Sequence, residues 1–334
     1  MIRVAINGFG RIGKNFLRVV MSDAASQKKI QVVAINVGPA SPDTIAYMIK
    51  YDTIMGKFAG SVEYDNTTLT INNQKIEIIA QPDATKLPWR NLNIDWVVDV
   101  SGRFTHRDDA LQHITAGAKK VLISAPAKGD DVSIIPGVND ADYKPEHQIV
   151  SLGSCTTNAL LPMLKVIHDN FGLKAAIMTT THSYTNSQAL LDVNASPKDV
   201  RRSRAAALNI VPSSTGAHTM IGRIIPDLDG KVGGSALRVP VGNVSIVELI
   251  FYANQSVSVE RVHEAFKHAS EAGMKNIVAL SADQLVSSDY MGDSHSVTID
   301  TSLTLVTQNL CKISGWYDNE WGYSSRLKDF LVKA

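Results

Sequence analysis

The sequence lacks the features that mark secreted, membrane-spanning and disulfide-bonded proteins. Cysteine is scarce, because only Cys155 and Cys311 occur among 334 residues and no Cys-x-x-Cys pair is present. This scarcity excludes a disulfide framework and argues against a zinc site. No apolar run reaches the roughly 18 residues that a membrane helix needs. The chain opens with strand-like residues, Met1 to Asn7, rather than with a secretory leader, so we expect a cytoplasmic protein.

The sequence also lacks an excess of positive or negative charge. The 33 Lys and Arg residues nearly balance the 32 Asp and Glu residues, which gives a formal net charge of +1. Nothing in this balance attracts nucleic acid or an anionic membrane, so we expect neither partner. The histidines other than His182 show no metal-ligand spacing, and we expect no metal. A chain of 334 residues predicts two domains.

A glycine-rich turn follows the first strand pattern. Residues 2–6 predict a buried strand, the sequence Asn-Gly-Phe-Gly-Arg-Ile-Gly follows, and a helix pattern comes next. Gly8 allows a tight turn, Gly10 lets the backbone approach a pyrophosphate, and Gly13 lets the helix pack closely on the strand. The spacing alone is weak evidence. Between a strand and a helix, however, it predicts dinucleotide binding rather than a plain glycine turn.

The first half of the chain continues to alternate strand and helix patterns. Strand patterns at 30–36, 95–100 and 121–124 end in small or turn-forming residues, as expected where a parallel sheet binds a cofactor at its carboxyl edge. Residues 62–80 predict two short strands joined by a turn at Asn72-Asn73. We therefore predict a Rossmann-type dinucleotide-binding domain over residues 1–154.

The second half has a different pattern. Long β-type runs at 232–253 and 296–317 indicate a mostly antiparallel sheet. The predicted fold class is α/β, with the N-terminal Rossmann-type domain followed by an α+β catalytic domain over residues 155–317. The C-terminal helix, within residues 318–334, is expected to pack back on the first domain.

Cys155 is the strongest candidate for chemistry in this second half. It lies among small and hydroxyl residues, Ser151 to Asn158, just before an apolar helix pattern. Small residues admit a substrate, and a helix N-terminus lowers the pKa of a thiol. A buried, inert cysteine fits the local pattern equally well. His182, at the exit of a predicted strand, adds a base that would convert Cys155 into a nucleophile. Cys311 lies in a β run, and we predict that it belongs to the core.

The end of the second predicted strand bears on cofactor choice. A site for NAD expects Asp or Glu there to bind the ribose 2′-hydroxyl. Here Val37 follows Asn36, the nearest acid is Asp43, and no Arg or Lys is close in sequence. The missing carboxylate removes a repulsion against a 2′-phosphate, so both NAD and NADP stay open.

Five short motifs, found one after another along the chain, give this sequence its resemblance to a known family. They are Ser-Cys-Thr-Thr-Asn at 154–158, His-Ser-Tyr-Thr at 182–185, Ser-Thr-Gly at 214–216, Arg-Val-Pro at 238–240 and Trp-Tyr-Asp-Asn-Glu at 316–320. With them the sequence closely resembles phosphorylating glyceraldehyde-3-phosphate dehydrogenase, from Asn7 to the last helix. The resemblance implies reversible oxidation of glyceraldehyde 3-phosphate by NAD or NADP with inorganic phosphate, through a hemithioacetal and a thioester on Cys155. It also implies a homotetramer, and it leaves the glycolytic or gluconeogenic direction open.

The resemblance further implies a role for each matching residue. Cys155 would be the nucleophile and His182 its base. The residues that match the site of the attacking phosphate are Ser154, Thr156, Thr215 and Gly216. Those that match the site of the sugar phosphate are Thr185, Arg202 and Arg238. Those that match the cofactor site are Gly8, Gly10, Arg11, Ile12, Gly13, Asn36, Ser124 and, for the nicotinamide carboxamide, Asn319. A helix predicted from Ala217 to Ile225 would offer its N-terminus to an anion at Thr215-Gly216.

The sequence departs from the family's pattern in four places. Ala159 stands where the family often has a second cysteine, which the mechanism does not need. His218 stands close to Thr215-Gly216, where the family usually has a small residue; a protonated imidazole there would favour phosphate and its bulk would crowd it, and both alternatives stay open. The other two places are the cofactor residues and the turn before the nucleophile.

Family members that use NAD strictly carry Asp after Asn36 and Leu-Pro in the S-loop, the segment that corresponds to residues 186–204 here, whereas this chain has Val37 and Ala195-Ser196. Both departures resemble members that accept NADP, so we hypothesise dual use with a preference for NADP. Before the nucleophile, Leu152-Gly153 replaces the usual Asn-Ala, which predicts an altered turn.

Three other functions compete with this interpretation. Erythrose-4-phosphate dehydrogenases share the scaffold but depart at the threonine after the histidine and at the Ser-Thr-Gly loop, whereas Thr185 and Thr215-Gly216 are retained here. A semialdehyde dehydrogenase would not need two anion pockets. A non-catalytic nucleotide-binding scaffold protein would have no use for Cys155 together with His182.

Overall fold

The computed structural model describes residues 1–194 and 199–334, except for the side chain of His218. It forms two compact units. The first comprises Met1–Ser154 together with Tyr323–Ala334, and the second comprises Cys155–Gly322. None of the helices in the described ranges combines the length and the apolar character that crossing a bilayer demands.

The first unit is built on a nine-stranded sheet whose central strands are parallel, as predicted for a Rossmann-type domain. Its strands are β1 (Ile2–Asn7), β2 (Ile30–Asn36), β3 (Val62–Tyr64), β4 (Thr68–Ile71), β5 (Gln74–Ile79), β6 (Trp96–Asp99), β7 (Lys120–Ile123), β8 (Val132–Ser133) and β9 (Ile149–Ser151). Their spatial order is β3-β4-β5-β2-β1-β6-β7-β9-β8. The helices are α1 (Arg11–Ser22), α2 (Ala24–Gln27), α3 (Pro42–Lys50) and α4 (Arg107–Thr115). Because α1 follows β1 directly, its N-terminus lies at the carboxyl edge of the sheet, where dinucleotides bind in this architecture.

The prediction of two strands over residues 62–80 is wrong, because three are present. The turn at Asn72-Asn73 is confirmed between β4 and β5, and both residues have positive φ angles, 47° and 68°. The missed turn lies between β3 and β4. There the Asp65 carboxylate accepts the backbone N–H groups of Thr67 and Thr68, which reverses the chain within three residues.

The second unit is built on an eight-stranded, mostly antiparallel sheet. Its strands are β10 (Leu173–Ser183), β11 (Val211–Ser213), β12 (Val232–Val239), β13 (Ser245–Ala253), β14 (Val278–Ser281), β15 (Val297–Asp300), β16 (Leu305–Thr307) and β17 (Leu310–Tyr317). The order is β11-β12-β10-β13-β17-β15-β14, with β16 beside β17. The β10–β12 and β14–β15 pairs are parallel, and the other pairs are antiparallel. The helices are α5 (Cys155–Phe171), α6 (Ile221–Ile224) and α7 (Val259–Glu271), and α5 packs against β10 and β13.

Two details of the second unit differ from prediction. His182 lies within β10 rather than after it, because its strand pairing with β12 continues to Ser183. The helix predicted from Ala217 to Ile225 is instead a 3₁₀ turn (Ala217–Met220) followed by the single turn of α6. A 3₁₀ turn lacks the aligned dipoles of a long helix, so the anion site predicted at Thr215-Gly216 must rely on individual donors.

The chain ends in α8 (Trp321–Lys333), most of which belongs to the first unit. Phe330 packs edge-on against Trp96 and Tyr143, with ring centroids 5.7 Å and 5.1 Å apart. The Lys333 ammonium lies 3.4 Å from the Asp140 carboxylate. These contacts place the C-terminal residues on the sheet of the first unit.

Candidate active site

A cysteine and a histidine meet in the second unit. Cys155 is the first residue of α5, and His182 is the penultimate residue of β10. The sulfur of Cys155 lies 3.5 Å from Nε2 of His182, which is hydrogen-bonding distance for sulfur. Cys155 keeps part of its surface exposed, whereas His182 is buried. The structure therefore brings the predicted nucleophile and base together.

Burial keeps this pair neutral. It raises the pKa of the Cys155 thiol, against the opposing effects of the Arg238 guanidinium and of hydrogen bonds from Thr156. Burial also lowers the pKa of His182 from 6.5 to about 3, and the charge of Arg238 acts in the same direction. At neutral pH the neutral thiol of Cys155 and the neutral imidazole of His182 are thus the favoured forms. The proton passes from sulfur to nitrogen only when the thiol reacts with a substrate.

The other ring nitrogen of His182 has two close neighbours. Nδ1 lies 2.7 Å from the carbonyl oxygen of Ser183, which can only accept a hydrogen bond. This contact favours the tautomer with Nδ1–H, which leaves the lone pair of Nε2 for the proton of the thiol. Nη1 of Arg238, which can only donate, also lies 2.7 Å from Nδ1 and 3.1 Å from the same carbonyl. A hydrogen bond from Arg238 to Nδ1 would favour the opposite tautomer, so Arg238 and the Ser183 carbonyl compete for Nδ1 of His182.

Tyr317 is a site residue that sequence reasoning missed. Its hydroxyl lies 3.0 Å from Oγ1 of Thr156 and 2.7 Å from Oγ1 of Thr180. Its ring meets that of His182 edge-on, with centroids 5.9 Å apart. Burial raises the pKa of Tyr317, so the phenol stays neutral and can donate. The signal was present, since Tyr317 stands in the fifth motif, two residues before Asn319.

The predicted anion-binding residues are only partly assembled. Arg238 pairs with His182 in the β10–β12 register and lies beside it. Arg202 donates from Nη2 to the Ser214 carbonyl at 3.3 Å, which ties it to the loop that holds Thr215 and Gly216. Its Nε lies 2.9 Å from Asp199.

The hydroxyl residues of the two predicted anion sites make local contacts. Oγ1 of Thr185 lies 3.0 Å from the Ser187 hydroxyl, and Oγ1 of Thr215 accepts the Ala217 N–H at 3.2 Å. Among the described residues, no hydrogen bond joins Thr185 or Thr215 to Cys155 or His182. Ser154 immediately precedes Cys155, as the last residue of the main segment of the first unit.

The first unit contains a cavity of about 630 Å³ at the carboxyl ends of β1, β2 and β6. The glycine turn forms one wall. Gly8 has a φ of +94°, and an added Cβ would lie 2.7 Å from the backbone of Ser101. At Gly10 a Cβ would meet nothing within 4 Å, so the cavity is open there, whereas at Gly13 it would collide with the carbonyl of Gly8. These three environments match the roles predicted for the glycines, and the open wall at Gly10 fits the close approach of a pyrophosphate.

Asn36 and Arg11 are held by neighbours in the first unit. Nδ2 of Asn36 donates to Oδ1 of Asn7 at 2.8 Å and to the Gln81 carbonyl at 3.0 Å, which fixes one wall of the cavity. The guanidinium of Arg11 pairs with Asp52. Although burial opposes it, this pairing and two backbone N–H groups lower the pKa of Asp52 to about 2. Because its side chain is engaged with Asp52, Arg11 can contribute its backbone N–H group to a pyrophosphate.

Of the remaining predicted cofactor residues, Ile12 and Ser124 lie at or near the same sheet edge of the first unit, whereas Asn319 belongs to the second unit. Ile12 is in the first turn of α1. Ser124 follows β7 and donates its backbone N–H to the Asp99 carbonyl at 2.9 Å. Asn319 follows β17 and is buried.

A cation near the end of β2 was missed. Val37 lines the cavity as predicted from its position, and the lining residues include no carboxylate. They do include Arg103, which comes from the loop after β6. Sequence proximity to Asn36 does not reveal Arg103, because it lies far from Val37 along the chain and reaches the cavity from another strand end. Ala195 and Ser196, the second basis for the NADP hypothesis, lie outside the described residues.

The unusual Leu152-Gly153 has a structural explanation. Leu152 is fully buried, and its N–H donates to the Ile123 carbonyl at 3.1 Å. Gly153 has a φ of +63°, donates to the Ser151 hydroxyl at 3.1 Å and accepts from the Tyr323 hydroxyl at 2.8 Å. The left-handed conformation turns the chain from β9 toward α5, and glycine adopts it without strain.

Replacing Gly153 by Ala is expected to lower the free energy of unfolding by about 1–2 kcal/mol, because a Cβ strains the left-handed conformation. Urea denaturation measures the change. Gly273→Ala is the matched control, since Gly273 has no positive φ and its Cβ would meet nothing within 4 Å. Equal stability of Gly153→Ala and the parent would contradict this account of the turn.

No group of three or more His, Cys, Asp or Glu side chains arranged to hold a metal occurs within residues 1–194 and 199–334.

Comparison with known proteins gives matches along most of the chain. Residues 2–107 match the family model "Glyceraldehyde 3-phosphate dehydrogenase, NAD binding domain", and residues 154–319 match the corresponding "C-terminal domain". The chain is 48% identical to glyceraldehyde-3-phosphate dehydrogenase 2 of Trichormus variabilis, over 98% of this chain and 97% of that protein. It is 45% identical to glyceraldehyde-3-phosphate dehydrogenase of Streptomyces coelicolor, over 99% and 98%. It is 44% identical to glyceraldehyde-3-phosphate dehydrogenase 1 of Bacillus subtilis, over 99% and 97%.

Proposed function

The chain belongs to the glyceraldehyde-3-phosphate dehydrogenase family, and we propose that Cys155 and His182 carry out the oxidation and phosphorylation of glyceraldehyde 3-phosphate to 1,3-bisphosphoglycerate. The observation that supports these roles best is the 3.5 Å contact between the thiol and the imidazole, with Arg238 beside it. We further infer that the first unit is the dinucleotide-binding domain and that the second is the catalytic domain.

The sulfur of Cys155 attacks the aldehyde carbon, while Nε2 of His182 takes up the thiol proton and passes it to the former carbonyl oxygen, which becomes the hydroxyl of a hemithioacetal. His182 is then neutral again. His182 then supports loss of the hydroxyl proton as the hydride departs, which leaves a thioester on Cys155. A bound nicotinamide dinucleotide supplies the hydride acceptor. Inorganic phosphate next attacks the thioester carbon, and the Cys155 thiolate leaves. The covalent intermediate separates the oxidation from the phosphorylation in time.

Two anions must be bound for this sequence of steps. Arg238 and Arg202 can each bind a phosphate bidentately, and the hydroxyls of Thr156, Thr185 and Thr215 can add neutral donors. A phosphate on Arg238 would also withdraw its guanidinium from Nδ1 of His182. The Ser183 carbonyl would then be the remaining partner of Nδ1–H, in the tautomer that suits a base at Nε2.

Steady-state oxidation tests this function against its nearest rival. Glyceraldehyde 3-phosphate and erythrose 4-phosphate are each supplied with and without inorganic phosphate, and formation of reduced dinucleotide is followed by absorbance. We expect phosphate-dependent turnover with a higher kcat/KM for the three-carbon aldehyde. A higher kcat/KM for erythrose 4-phosphate, or turnover that ignores phosphate, would contradict the proposal.

For the cofactor we propose use of both NAD and NADP with a preference for NADP. Two features of the first unit support it. Val37 places no carboxylate against a 2′-phosphate, and Arg103 lines the same cavity without an ion pair to any described residue. A guanidinium favours the additional phosphate of NADP through charge and bidentate hydrogen bonds.

The ratio of kcat/KM for NADP to kcat/KM for NAD tests the preference. We expect a ratio above one in the parent, and a fall of roughly tenfold on Val37→Asp, because the new carboxylate repels the 2′-phosphate and accepts from a 2′-hydroxyl. Arg103→Gln should lower the ratio as well. Arg90→Gln, outside the cavity lining, is the matched control. A parental preference for NAD above about tenfold would refute the hypothesis.

We also propose that the protein is a homotetramer that works in the cytoplasm. Apolar side chains on the outer face of the second sheet are exposed, including Ile177 at 65%, and so is Leu208 at 77%. Such side chains are more often covered by a partner than left in water. Both cysteines are free, in keeping with a reducing compartment. Light scattering on the purified protein measures the mass, and a monomer at micromolar concentration would contradict the assembly.

A further inference from the structure

The side-chain amide of Asn319 is held by two serines of the second unit. Its Oδ1 accepts a hydrogen bond from the Ser183 hydroxyl and another from the Ser245 hydroxyl, each at 2.9 Å. Ser183 is the last residue of β10, Ser245 is the first residue of β13, and both are buried. Two neighbouring strands therefore present their hydroxyls to one oxygen.

One of these hydroxyls makes a further hydrogen bond. The backbone N–H of Ser183 donates to the Ser245 hydroxyl oxygen at 3.1 Å. In the observed orientation each hydroxyl donates its single proton to Oδ1 of Asn319. An amide turned by 180° would direct its N–H donors at the two hydroxyl oxygens, and neither hydroxyl proton would then have an acceptor among the described residues. Buried hydroxyls and amides are costly to leave unpaired, so the observed orientation is strongly preferred.

We propose that Ser183 and Ser245 are positioning residues that lock the Asn319 amide with its oxygen inward, so that Nδ2 serves as a donor to the carboxamide oxygen of a bound nicotinamide. The inference rests on the proposed function, in which Asn319 would hold the nicotinamide carboxamide as the family resemblance implies. Nδ2 makes no hydrogen bond to any residue in the described ranges, so it is free to donate to a ligand. Without the lock, the amide could also present its oxygen, which repels a carboxamide oxygen.

Ser183 contacts both the proposed base, His182, and Asn319. Its carbonyl is the acceptor that favours the Nδ1–H tautomer of His182, and its hydroxyl holds Asn319. One residue thus orients both the base and the cofactor anchor. Replacing its side chain leaves the carbonyl in place, so substitution to alanine isolates the effect on Asn319.

The first experiment compares Ser183→Ala, Ser245→Ala and their double variant with the parent. Loss of one neutral hydrogen bond typically costs on the order of 3- to 10-fold in an equilibrium constant. We expect kcat/KM for the dinucleotide to fall about 10- to 100-fold in the double variant, with the KM for the aldehyde changed less than about twofold. Ser314→Ala is the matched control, since Ser314 is buried in the same sheet and its hydroxyl bonds to no described residue. A double variant no worse than Ser314→Ala would overturn the proposal.

The second experiment repeats the serine substitutions in an Asn319→Ala background. If the serines act through Asn319, they should cause no further loss of kcat/KM for the dinucleotide there. Equal losses in both backgrounds would overturn the lock. If Asn319→Ala does not fold, Asn319→Asp replaces it, because the carboxylate keeps both serine hydrogen bonds and lacks the donor.

The role of Asn319 and the serine lock can be refuted separately. If Asn319→Ala itself keeps the parental kcat/KM for the dinucleotide, the proposed role of Asn319 is wrong. If Asn319→Ala is impaired but the serine substitutions are without effect, or are equally harmful in both backgrounds, only the lock is wrong.

Discussion

Replacing Cys155 by Ser is expected to lower kcat for oxidation of glyceraldehyde 3-phosphate by about 10⁴-fold or more while leaving dinucleotide binding intact. A serine hydroxyl is a far weaker acid than a thiol. His182, whose pKa lies at about 3, is too weak a base to deprotonate an alcohol in its place. An ester on serine would also transfer its acyl group to phosphate less readily than a thioester does.

The measurement pairs steady-state turnover with titration calorimetry of the dinucleotide. Cys311→Ala is the matched control, because Cys311 is the other cysteine of the chain and is fully buried in β17. It should retain kcat within about twofold of the parent, since it touches no proposed site residue. Turnover by Cys155→Ser beyond a trace would show that another group forms the covalent intermediate.

Replacing His182 by Asn is expected to lower kcat by about 10²- to 10⁴-fold, the usual contribution of a general base. The pH dependence should change as well. Burial raises the pKa of Cys155, so without the imidazole the thiolate forms only as the pH approaches that raised value. The activity of His182→Asn should therefore climb with pH, by up to about tenfold per unit between pH 7 and 9.

Steady-state assays across this pH range, together with the rate of thiol alkylation by iodoacetamide, measure the effect. His295→Asn provides a control, since the imidazole of His295 pairs with Asp293 and has no contact with Cys155. If His182→Asn keeps parental kcat and the parental pH profile, His182 is not the base.

The same His182→Asn variant should change how stability depends on acid. Folded His182 has a pKa of about 3 against an ordinary value of 6.5, so below pH 6.5 the unfolded chain takes up a proton that the folded chain does not. Stability is therefore fully present above pH 6.5 and falls as the pH drops toward 3. Between pH 7 and 5 this single group costs about 2 kcal/mol, which urea denaturation should detect in the parent and not in the variant.

The parts of the site that sequence predicts are those encoded in one short segment. The glycine turn at Gly8 to Gly13 is local, and so is the placement of Cys155 at the start of a helix. For these, the residue types and their spacing already fix the backbone conformation. Cys155 and His182 could be paired because each follows from a motif at the end of its own element.

The parts that sequence does not predict depend on how distant strands align. The lock on Asn319 requires the end of β10 and the start of β13 to be neighbours, and Ser245 to lie opposite Tyr317. A shift of one residue in either pairing would turn a serine to the other face of the sheet. Arg103 was missed for a similar reason, because it reaches the cavity from the loop after a different strand. The strand β3 was missed because a single carboxylate, that of Asp65, makes a turn that periodicity does not reveal.

Because the two cysteines are unequally buried, labelling reagents can be used to count the reactive thiols of the folded protein. Burial raises the pKa of Cys311 to about 12 and leaves it no solvent contact, so alkylating reagents and disulfide reagents cannot reach it in the folded protein. Cys155 alone remains accessible. Each folded chain thus carries one titratable thiol, and the moles of label incorporated per mole of chain report the fraction of subunits with an intact nucleophile. In an assembly of several chains, this stoichiometry would reveal whether all subunits react alike or only some of them.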